Sequence, residues 1–209
     1  MKTAICIPTF NRPEYLRQTL ESLKRCLTDE FVVITDDNST DMQVIRVILE
    51  YLGDYQNKLI IRHPNFGIAR SMKIAIENCK DKDVIISLDS DFIVHKDFIK
   101  VLTKLVAENP ENIITSFNAT SHKVIKELQD RYLKQTIGGG NIAFTWETCT
   151  KYIQPILENN AWDWQMCDMV KKAGKMFICT KPSLCQHIGI NSTLGHDSVD
   201  TAADFNGYE

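Results

Sequence analysis

Two carboxylates on either side of a serine, Asp89-Ser90-Asp91, are the residues best suited to hold a metal ion. Carboxylate oxygens suit hard divalent cations such as Mg²⁺ and Mn²⁺, which keep further positions for phosphate oxygens and water. The same spacing recurs at Asp81-Lys82-Asp83, so the pattern alone is weak. The two differ in context, because the second precedes a strand predicted over Val84–Leu88 and the first follows it. We therefore expect a solvated turn before that strand and a ligand crevice after it.

Two further polar segments also follow predicted strands. Pro8-Thr9-Phe10-Asn11-Arg12 comes after the apolar run Ala4–Ile7, and Asp36-Asp37-Asn38-Ser39 comes after Phe31–Ile34. In open parallel sheets, ligands bind outside the carboxyl ends of the strands. The three segments are thus predicted to meet at one site.

The strands that position these segments alternate with amphipathic helices. Leu59–Ile61 is a further predicted strand, and helices are predicted at Met42–Leu52, after Gly67 and at Asp97–Ala107. Asn11 is expected to cap the first helix as part of a capping box. The alternation predicts an α/β fold with a mostly parallel central sheet flanked by helices.

Composition favours one soluble domain. The chain has 209 residues, a formal net charge of -3 and 44% hydrophobic residues, so a core can form and no global field attracts nucleic acid or anionic membranes. Its seven cysteines are scattered without a Cys-x-x-Cys pair, which suits a reducing compartment. No run approaches the ~20 apolar residues of a membrane span, and the start does not read as a signal peptide. We expect a cytoplasmic protein.

Four blocks resemble, in order, the successive signatures of family 2 glycosyltransferases. They are Ile5–Arg12, Val32–Asp41, Asn65–Arg70 and Ile85–Asp91. That family has the GT-A fold, a Rossmann-like nucleotide-diphospho-sugar-binding sheet merged with an acceptor-binding region. The resemblance implies one domain over 1–209, with a nucleotide-sugar part at about 1–95 and an acceptor and catalytic part at about 96–194. The polar, aperiodic residues 195–209 are expected to form a flexible tail.

The resemblance also assigns a nucleotide site. The residues expected to line it are Pro8, Thr9, Phe10, Arg12, Asp37, Gly67, Arg70, Asp89 and Ser90. Phe10 would lie near the base, and Asp37 would accept a hydrogen bond from the imide N–H of the base, which favours uridine. Asp36 would only brace the loop, and Arg70 would help to neutralise the diphosphate. Many relatives carry an asparagine near Lys73, which we interpret here as a solvated helix residue.

A metal cofactor follows from the same resemblance. Mn²⁺ or Mg²⁺ is expected to be held by Asp89, Asp91 and His187, because relatives often complete the metal site with a histidine in this position. The segment Lys181–His187 resembles the corresponding motif of the family. The alternative is a zinc site, whose spacing fits no standard finger, made from Cys179, Cys185, His187 and His196.

Asp163 is the expected catalytic base, at the start of a helix predicted over Trp162–Ala173. Relatives place an acidic motif there, and a carboxylate can take the proton of an acceptor hydroxyl. Asp168 is the rival base, and a structural cap is the alternative role for Asp163. The residues expected to contact the sugar or the acceptor are Gly139, Gly140, Asn141, Trp162 and Trp164. A plain flexible turn and buried indoles are the alternatives for these glycines and tryptophans.

Three further histidines have no expected role. They are His63, His95 and His122, which we place at the surface or in loops.

These features predict transfer of a sugar from a nucleotide-sugar donor, UDP-linked, to an acceptor hydroxyl, with inversion implied by the resemblance. The acceptor stays open among a glycan, a protein, a small molecule and a modified nucleic acid. One rival is a sugar-nucleotide pyrophosphorylase, which would normally carry a Gly-rich loop with Arg or Lys after the first strand, unlike Pro8–Arg12. The other is a non-catalytic nucleotide- or glycan-binding module, against which four retained site residues argue together: Asp89, Asp91, Asp163 and His187.

Overall fold

The computed structural model describes residues 1–158, 161–190 and 200–207. Its strands are β1 (Thr3–Thr9), β2 (Phe31–Asp36), β3 (Lys58–Arg62), β4 (Val84–Leu88), β5 (Phe92–Val94), β6 (Ile114–Thr115), β7 (Val124–Glu127), β8 (Arg131–Lys134), β9 (Asn141–Phe144), β10 (Phe177–Thr180) and β11 (Cys185–His187). Its helices are α1 (Pro13–Lys24), α2 (Gln43–Leu52), α3 (Ile68–Glu77), α4 (Phe98–Glu108), α5 (Trp146–Tyr152) and α6 (Trp162–Lys172). None of the helices in these ranges is long and apolar enough to cross a membrane.

Nine strands form one sheet in the order β3-β2-β1-β4-β9-β6-β10-β8-β7. β1 pairs in parallel with both β2 and β4, and β3 continues the parallel half next to β2. In this sheet β9 and β8 run against the other strands. The predicted α/β fold with a mostly parallel sheet flanked by helices is therefore confirmed.

β1 and β4 are buried on both faces, because successive side chains point to opposite faces of the sheet and helices pack against each face. Ile5 and Ile7 of β1 belong to a core with α1, α2 and α4, whereas Ala4 and Cys6 belong to a second core with α3, α5 and α6. All four side chains are fully buried. This two-sided core holds the carboxyl ends of β1, β2 and β4 at one edge of the sheet.

The start of α1 differs from the prediction. Arg12, not Asn11, is the residue before the helix, and no side chain caps it, so the predicted capping box is wrong. Both residues are left-handed, with φ of 53° and 58°. Asn11 Oδ1 instead accepts hydrogen bonds from the backbone N–H groups of Thr40 and Asp41, at 3.0 and 3.1 Å. The asparagine therefore ties the β1–α1 loop to the β2–α2 loop, and Pro13 supplies the helical φ at the start of α1.

A two-stranded antiparallel ribbon carries the second half of the chain back to the sheet edge. β5 follows Asp91 directly, and β11 pairs with it so that His187 lies opposite Phe92. The backbone N–H of Ile188 donates to the carbonyl of Asp91 at 2.9 Å. A histidine almost 100 positions away in the sequence is thus held beside the end of β4.

Residues 200–207, the described part of the expected flexible tail, make specific contacts with the rest of the chain. The rest of 195–209 lies outside the described residues. Ala202 forms a β-bridge with Ala119. Asp204 accepts hydrogen bonds from the Tyr132 hydroxyl at 3.0 Å and from the Ser183 backbone N–H at 3.1 Å. Low sequence periodicity hid this docking, because single polar contacts rather than an apolar face make it.

We predict that Asp204→Ala lowers the free energy of unfolding by about 2 kcal/mol, because hydrogen bonds to an ionised group contribute more than neutral ones. Urea titration would measure this. Asp130→Ala is the matched control, since Asp130 is exposed and pairs with its neighbour Arg131; it should leave the midpoint nearly unchanged. Equal midpoints for the two variants would mean that residues 200–207 add no stability.

Candidate functional site

A cavity of about 360 Å³ opens at the carboxyl ends of β1, β2 and β4. The structure brings ten of the predicted site residues together around it: Pro8, Thr9, Phe10, Arg12, Asp37, Gly67, Asp89, Ser90, Asp91 and His187. Asn65, Ile68 and Ser71 complete the lining. The three polar segments that follow β1, β2 and β4 therefore do meet at one cavity.

Arg12 reaches across the cavity from the β1–α1 loop. Its Nη1 lies 3.0 Å from Asp91 Oδ2, and its guanidinium stacks 4.4 Å from the Tyr15 ring centre. A left-handed backbone at a residue other than glycine costs about 1–2 kcal/mol, which these contacts offset. Nη2 is buried without a hydrogen-bond partner. A donor that is aimed at the site and unpaired can serve an anionic ligand.

The loop after β2 is braced as expected. Asp36 is fully buried, accepts hydrogen bonds from the backbone N–H and hydroxyl of Ser39, and pairs with Arg62 Nε at 3.2 Å. Its neighbour Asp37 faces the cavity and binds the β3–α3 loop, because its two carboxylate oxygens accept the backbone N–H groups of Phe66 and Gly67 at 2.7 and 2.9 Å. Each oxygen keeps capacity for another donor.

His63 lies in the β3–α3 loop, in agreement with the prediction of a surface or loop position, but its side chain is not at the surface. Its side chain is only 8% exposed, stacks on Phe66 with ring centres 5.6 Å apart, and lies 3.4 Å from Asp37. Its position one residue beyond β3, next to the expected Asn65–Arg70 block, was the available signal. His95 does lie in a loop, where its Nδ1 accepts the Asp97 backbone N–H at 3.1 Å.

Asp89 packs closely against Gly140, the last of the three consecutive glycines that precede β9. Its backbone N–H donates to the Gly140 carbonyl at 2.8 Å, and a Cβ on Gly140 would lie 2.8 Å from Asp89 Oδ2. Oδ1 is buried and has no hydrogen-bond partner. Burial, followed by the charge of Asp91, raises the pKa of Asp89 to about 7, and Asp163 adds in the same direction. The charges of His187 and Arg12 only partly compensate the ionised carboxylate of Asp89 in this arrangement.

Asp91 is compensated by two cationic groups. Its Oδ2 lies 3.2 Å from His187 Nε2 and also pairs with Arg12. Burial alone would raise the pKa of Asp91, but the hydrogen bond and charge of His187, with Arg12, outweigh it and lower that pKa. Burial would likewise lower the pKa of His187, yet its bond to Asp91 raises it overall. Gly189 packs against this cluster so closely that a Cβ would overlap Asp91.

The unpaired atoms test whether these residues suit a divalent cation. Asp89 Oδ1 and His187 Nδ1 are both buried without partners. Asp91 Oδ2 and His187 Nε2 are 3.2 Å apart, close to the roughly 3 Å that separates adjacent ligands of an octahedral ion. Within the described ranges, no three His, Cys, Asp or Glu groups are already gathered around one point, since Arg12 and His187 neutralise Asp91 instead. The oxygen and imidazole donors nevertheless fit a hard cation such as Mn²⁺.

The zinc alternative finds no support. Cys179 and Cys185 are fully buried, and burial raises the pKa of Cys179 to about 12. Cys185 Sγ accepts the Ser116 hydroxyl at 3.2 Å. Both behave as reduced core thiols, and His196 lies outside the described residues.

Arg70 and Asn141 are among the predicted site residues that do not line the cavity. Arg70 is exposed on α3, with its guanidinium 5.9 Å from the Phe66 ring centre, and Asn141 is buried, where it accepts the backbone N–H and hydroxyl of Ser116. Neither lines the pocket, because helix and strand geometry turn them elsewhere. Lys73 pairs with Glu158 at 3.0 Å, as suits a helix-surface residue.

Asp163 lies at the start of α6, outside the cavity but close enough to act on the charge of Asp89. Its Oδ1 accepts the Trp164 backbone N–H at 2.8 Å, but Ala161 is the N-cap residue and no side chain caps α6, so the capping alternative is wrong. Trp162 is buried against Gly139, whereas Trp164 is 60% exposed. The rival Asp168 is exposed further along the helix.

The segment Asp81-Lys82-Asp83 is the solvated turn that was expected. Asp81 pairs with Lys82 at 2.7 Å, and Asp83 accepts the Lys2 backbone N–H at 2.7 Å. Both aspartates are exposed at the amino end of β4.

We predict that Asp89→Asn stabilises the metal-free protein at pH 8 and that Asp91→Asn destabilises it. The raised pKa means that the Asp89 carboxyl resists ionisation in the folded protein. Its ionisation therefore lowers the free energy of unfolding. This loss grows from about pH 4 to pH 7 and is complete above pH 7, on the order of 2–4 kcal/mol. Asp91→Asn removes the charge that Arg12 and His187 need. Thermal unfolding in EDTA at pH 4 and pH 8 measures both. A destabilised Asp89→Asn variant at pH 8 would contradict the assignment.

Comparison with known proteins agrees with this architecture. Residues 4–160 match the model of Glycosyl transferase family 2. An uncharacterized glycosyltransferase of Bacillus subtilis (strain 168), YfnE, is 31% identical over 115 residues, which cover 54% of this chain and 29% of that protein. The chain spans less than a third of the length of the curated relatives it matches.

Two solved structures share the fold. GalNAc-T7 with UDP, GalNAc and Mn²⁺ superposes with a TM-score of 0.76 at 13% identity, over 90% of this chain and 44% of that one. Staphylococcus aureus TarS 1-349 with UDP-GlcNAc gives a TM-score of 0.67 at 17% identity, over 100% of this chain and 60% of that one. The fold is GT-A, and the chain belongs to glycosyl transferase family 2.

Proposed function

We propose that this chain is a glycosyltransferase that uses a nucleoside diphosphate sugar and a divalent cation. The observation that carries the proposal is that two residues lining the cavity each have a buried, unpaired atom, Asp89 Oδ1 and Arg12 Nη2. One atom calls for a cation and the other for an anion, and a metal-bound diphosphate satisfies both. Family membership supports the same activity.

The cation would be held by Asp89, Asp91 and His187. Bound there, Mn²⁺ or Mg²⁺ would neutralise the charge that builds on the leaving diphosphate. Arg12, already beside Asp91 at 3.0 Å, adds a fixed positive charge at the same side of the cavity. Structures of GalNAc-T7 with UDP and Mn²⁺ lend support by likeness of fold.

Asp37 is the group proposed to select the base. Its carboxylate accepts the backbone N–H groups of Phe66 and Gly67 and offers only acceptors to the cavity. A base with an imide N–H, such as uracil, can donate to it, whereas the ring N3 of cytosine is itself an acceptor. Repulsion between two acceptors disfavours cytosine.

The transfer step is proposed as a single displacement. The acceptor oxygen forms a bond to the anomeric carbon while the bond from that carbon to the diphosphate oxygen breaks, which inverts the carbon. Asp163 takes the acceptor's proton, and the diphosphate leaves with the electron pair. Its place at the start of α6, near Asp89, supports this role.

We predict that UDP binds at least tenfold more tightly than CDP, and that both bind more weakly in EDTA than with Mn²⁺. Isothermal titration calorimetry of the full chain would measure the four dissociation constants. CDP is the matched control because it keeps the ribose and diphosphate and changes the base. Equal constants for UDP and CDP would remove Asp37 from base selection, and no binding of either with Mn²⁺ would remove the proposed function.

A second prediction concerns the catalytic base, Asp163. Asp163→Asn should lower the rate at which UDP is cleaved from the bound donor by about 10²–10⁴-fold, because general-base help is lost. The dissociation constant of UDP should be unchanged. Release is measured with water alone and with added saccharides. Asp168→Asn, on the exposed side of the same helix, should keep the wild-type rate. An active Asp163→Asn variant would show that another group takes the proton.

A further inference from the structure

Three consecutive glycines form a strip that leads away from the metal-site carboxylates. A Cβ on Gly140 would lie 2.8 Å from Asp89 Oδ2, and a Cβ on Gly139 would overlap the Trp162 ring. A Cβ on Gly138 would lie 3.8 Å from His122 Nε2. The bare backbone thus connects the end of β4 with a histidine to which the sequence assigns no role.

His122 is held in a defined orientation at the far end of this strip. Its Nδ1 lies 3.0 Å from the Thr136 hydroxyl, so Nε2 is the ring nitrogen that remains for a ligand. The imidazole packs against Trp164, with ring centres 6.0 Å apart and planes inclined by 50°. Trp164 is 60% exposed, although a tryptophan that has no ligand is normally far more covered. The pair forms an open aromatic wall.

The charges around this wall narrow the class of ligand. Burial lowers the pKa of His122, and the charges that act on its ring are the carboxylates of Asp200 and Asp163 and the ammonium of Lys134. A neutral imidazole can either donate to a hydroxyl or accept from one. The two carboxylates outnumber the single cation, which disfavours phosphate and carboxylate groups. A neutral, polyhydroxylated molecule suits the wall better than a nucleic acid.

We propose that His122 and Trp164 form an acceptor subsite for a neutral pyranose. The apolar face of the sugar would pack on the Trp164 ring while a ring hydroxyl bonds His122 Nε2, which leaves another hydroxyl near Asp163. This inference rests on the proposed function for the direction of transfer, and it narrows the acceptor to carbohydrate.

The test uses methyl pyranosides of glucose, galactose, mannose, N-acetylglucosamine and N-acetylgalactosamine as probes. The indole N–H signals of the three tryptophans are followed by ¹H–¹⁵N NMR on the full chain, with and without UDP and Mn²⁺, and assigned with Trp→Phe variants. We expect one or more pyranosides to shift the Trp164 signal in a saturable way. His122→Ala should weaken that binding about tenfold, and His122→Gln, which keeps a hydrogen-bonding group, should weaken it less.

Several outcomes decide the question. A Trp164 signal that no pyranoside shifts under either condition would overturn the subsite, as would equal affinities in wild type and His122→Ala, or a response only to a DNA oligonucleotide. UDP affinity serves as the folding control and should be unchanged in both His122 variants; a UDP loss in both would assign His122 to the donor site or to folding instead. Pyranoside binding without any UDP binding would leave the subsite standing and remove the transferase proposal.

Discussion

Asp91 lies 3.0 Å from Arg12 and 3.2 Å from His187, and this three-way contact joins distant parts of the chain at one point. Each partner requires its own piece of architecture. The left-handed backbone at Arg12 turns the β1–α1 loop over the cavity, and the β5–β11 ribbon returns His187 to the sheet edge. Gly189 allows the cluster to close. Without the buried carboxylate of Asp91, Arg12 and His187 would lack the negative charge that holds them together.

The site contains several buried polar groups that have no hydrogen-bond partner. Asp89 Oδ1, Arg12 Nη2, His187 Nδ1 and Thr9 Oγ1 are buried without partners. Such groups cost free energy in the ligand-free protein, since their water was removed and not replaced. The two apolar cores on either face of the sheet supply the stability that holds them. A ligand that brings both a cation and an anion would recover the loss, which is how structure and proposed function connect.

Much of this was readable in the sequence because it is local. Continuous apolar runs predicted β1, β2 and β4, and polar residues directly after them predicted where the cavity lies. Contacts made by single polar side chains were not readable in this way. Asn11 was expected to cap α1 but joins two loops, and residues 200–207 were expected to be flexible but dock through Asp204. Hydrogen bonds of this kind leave no periodic signal, so only the folded chain reveals them.

By itself, the sequence determined the α/β architecture and the family. It also determined that Asp37, Asp89 and Asp91 lie at strand ends, and parallel pairing places such residues at one edge of the sheet. Tertiary structure decided which distant groups join them. The family resemblance already pointed to His187, and the fold supplied its contact with Asp91. The fold also turned Arg70 outward, buried Trp162 while leaving Trp164 open, and set His122 against that open ring. The reason is that these positions depend on the ribbon and on loop packing, whose geometry arises from contacts between residues far apart in the chain.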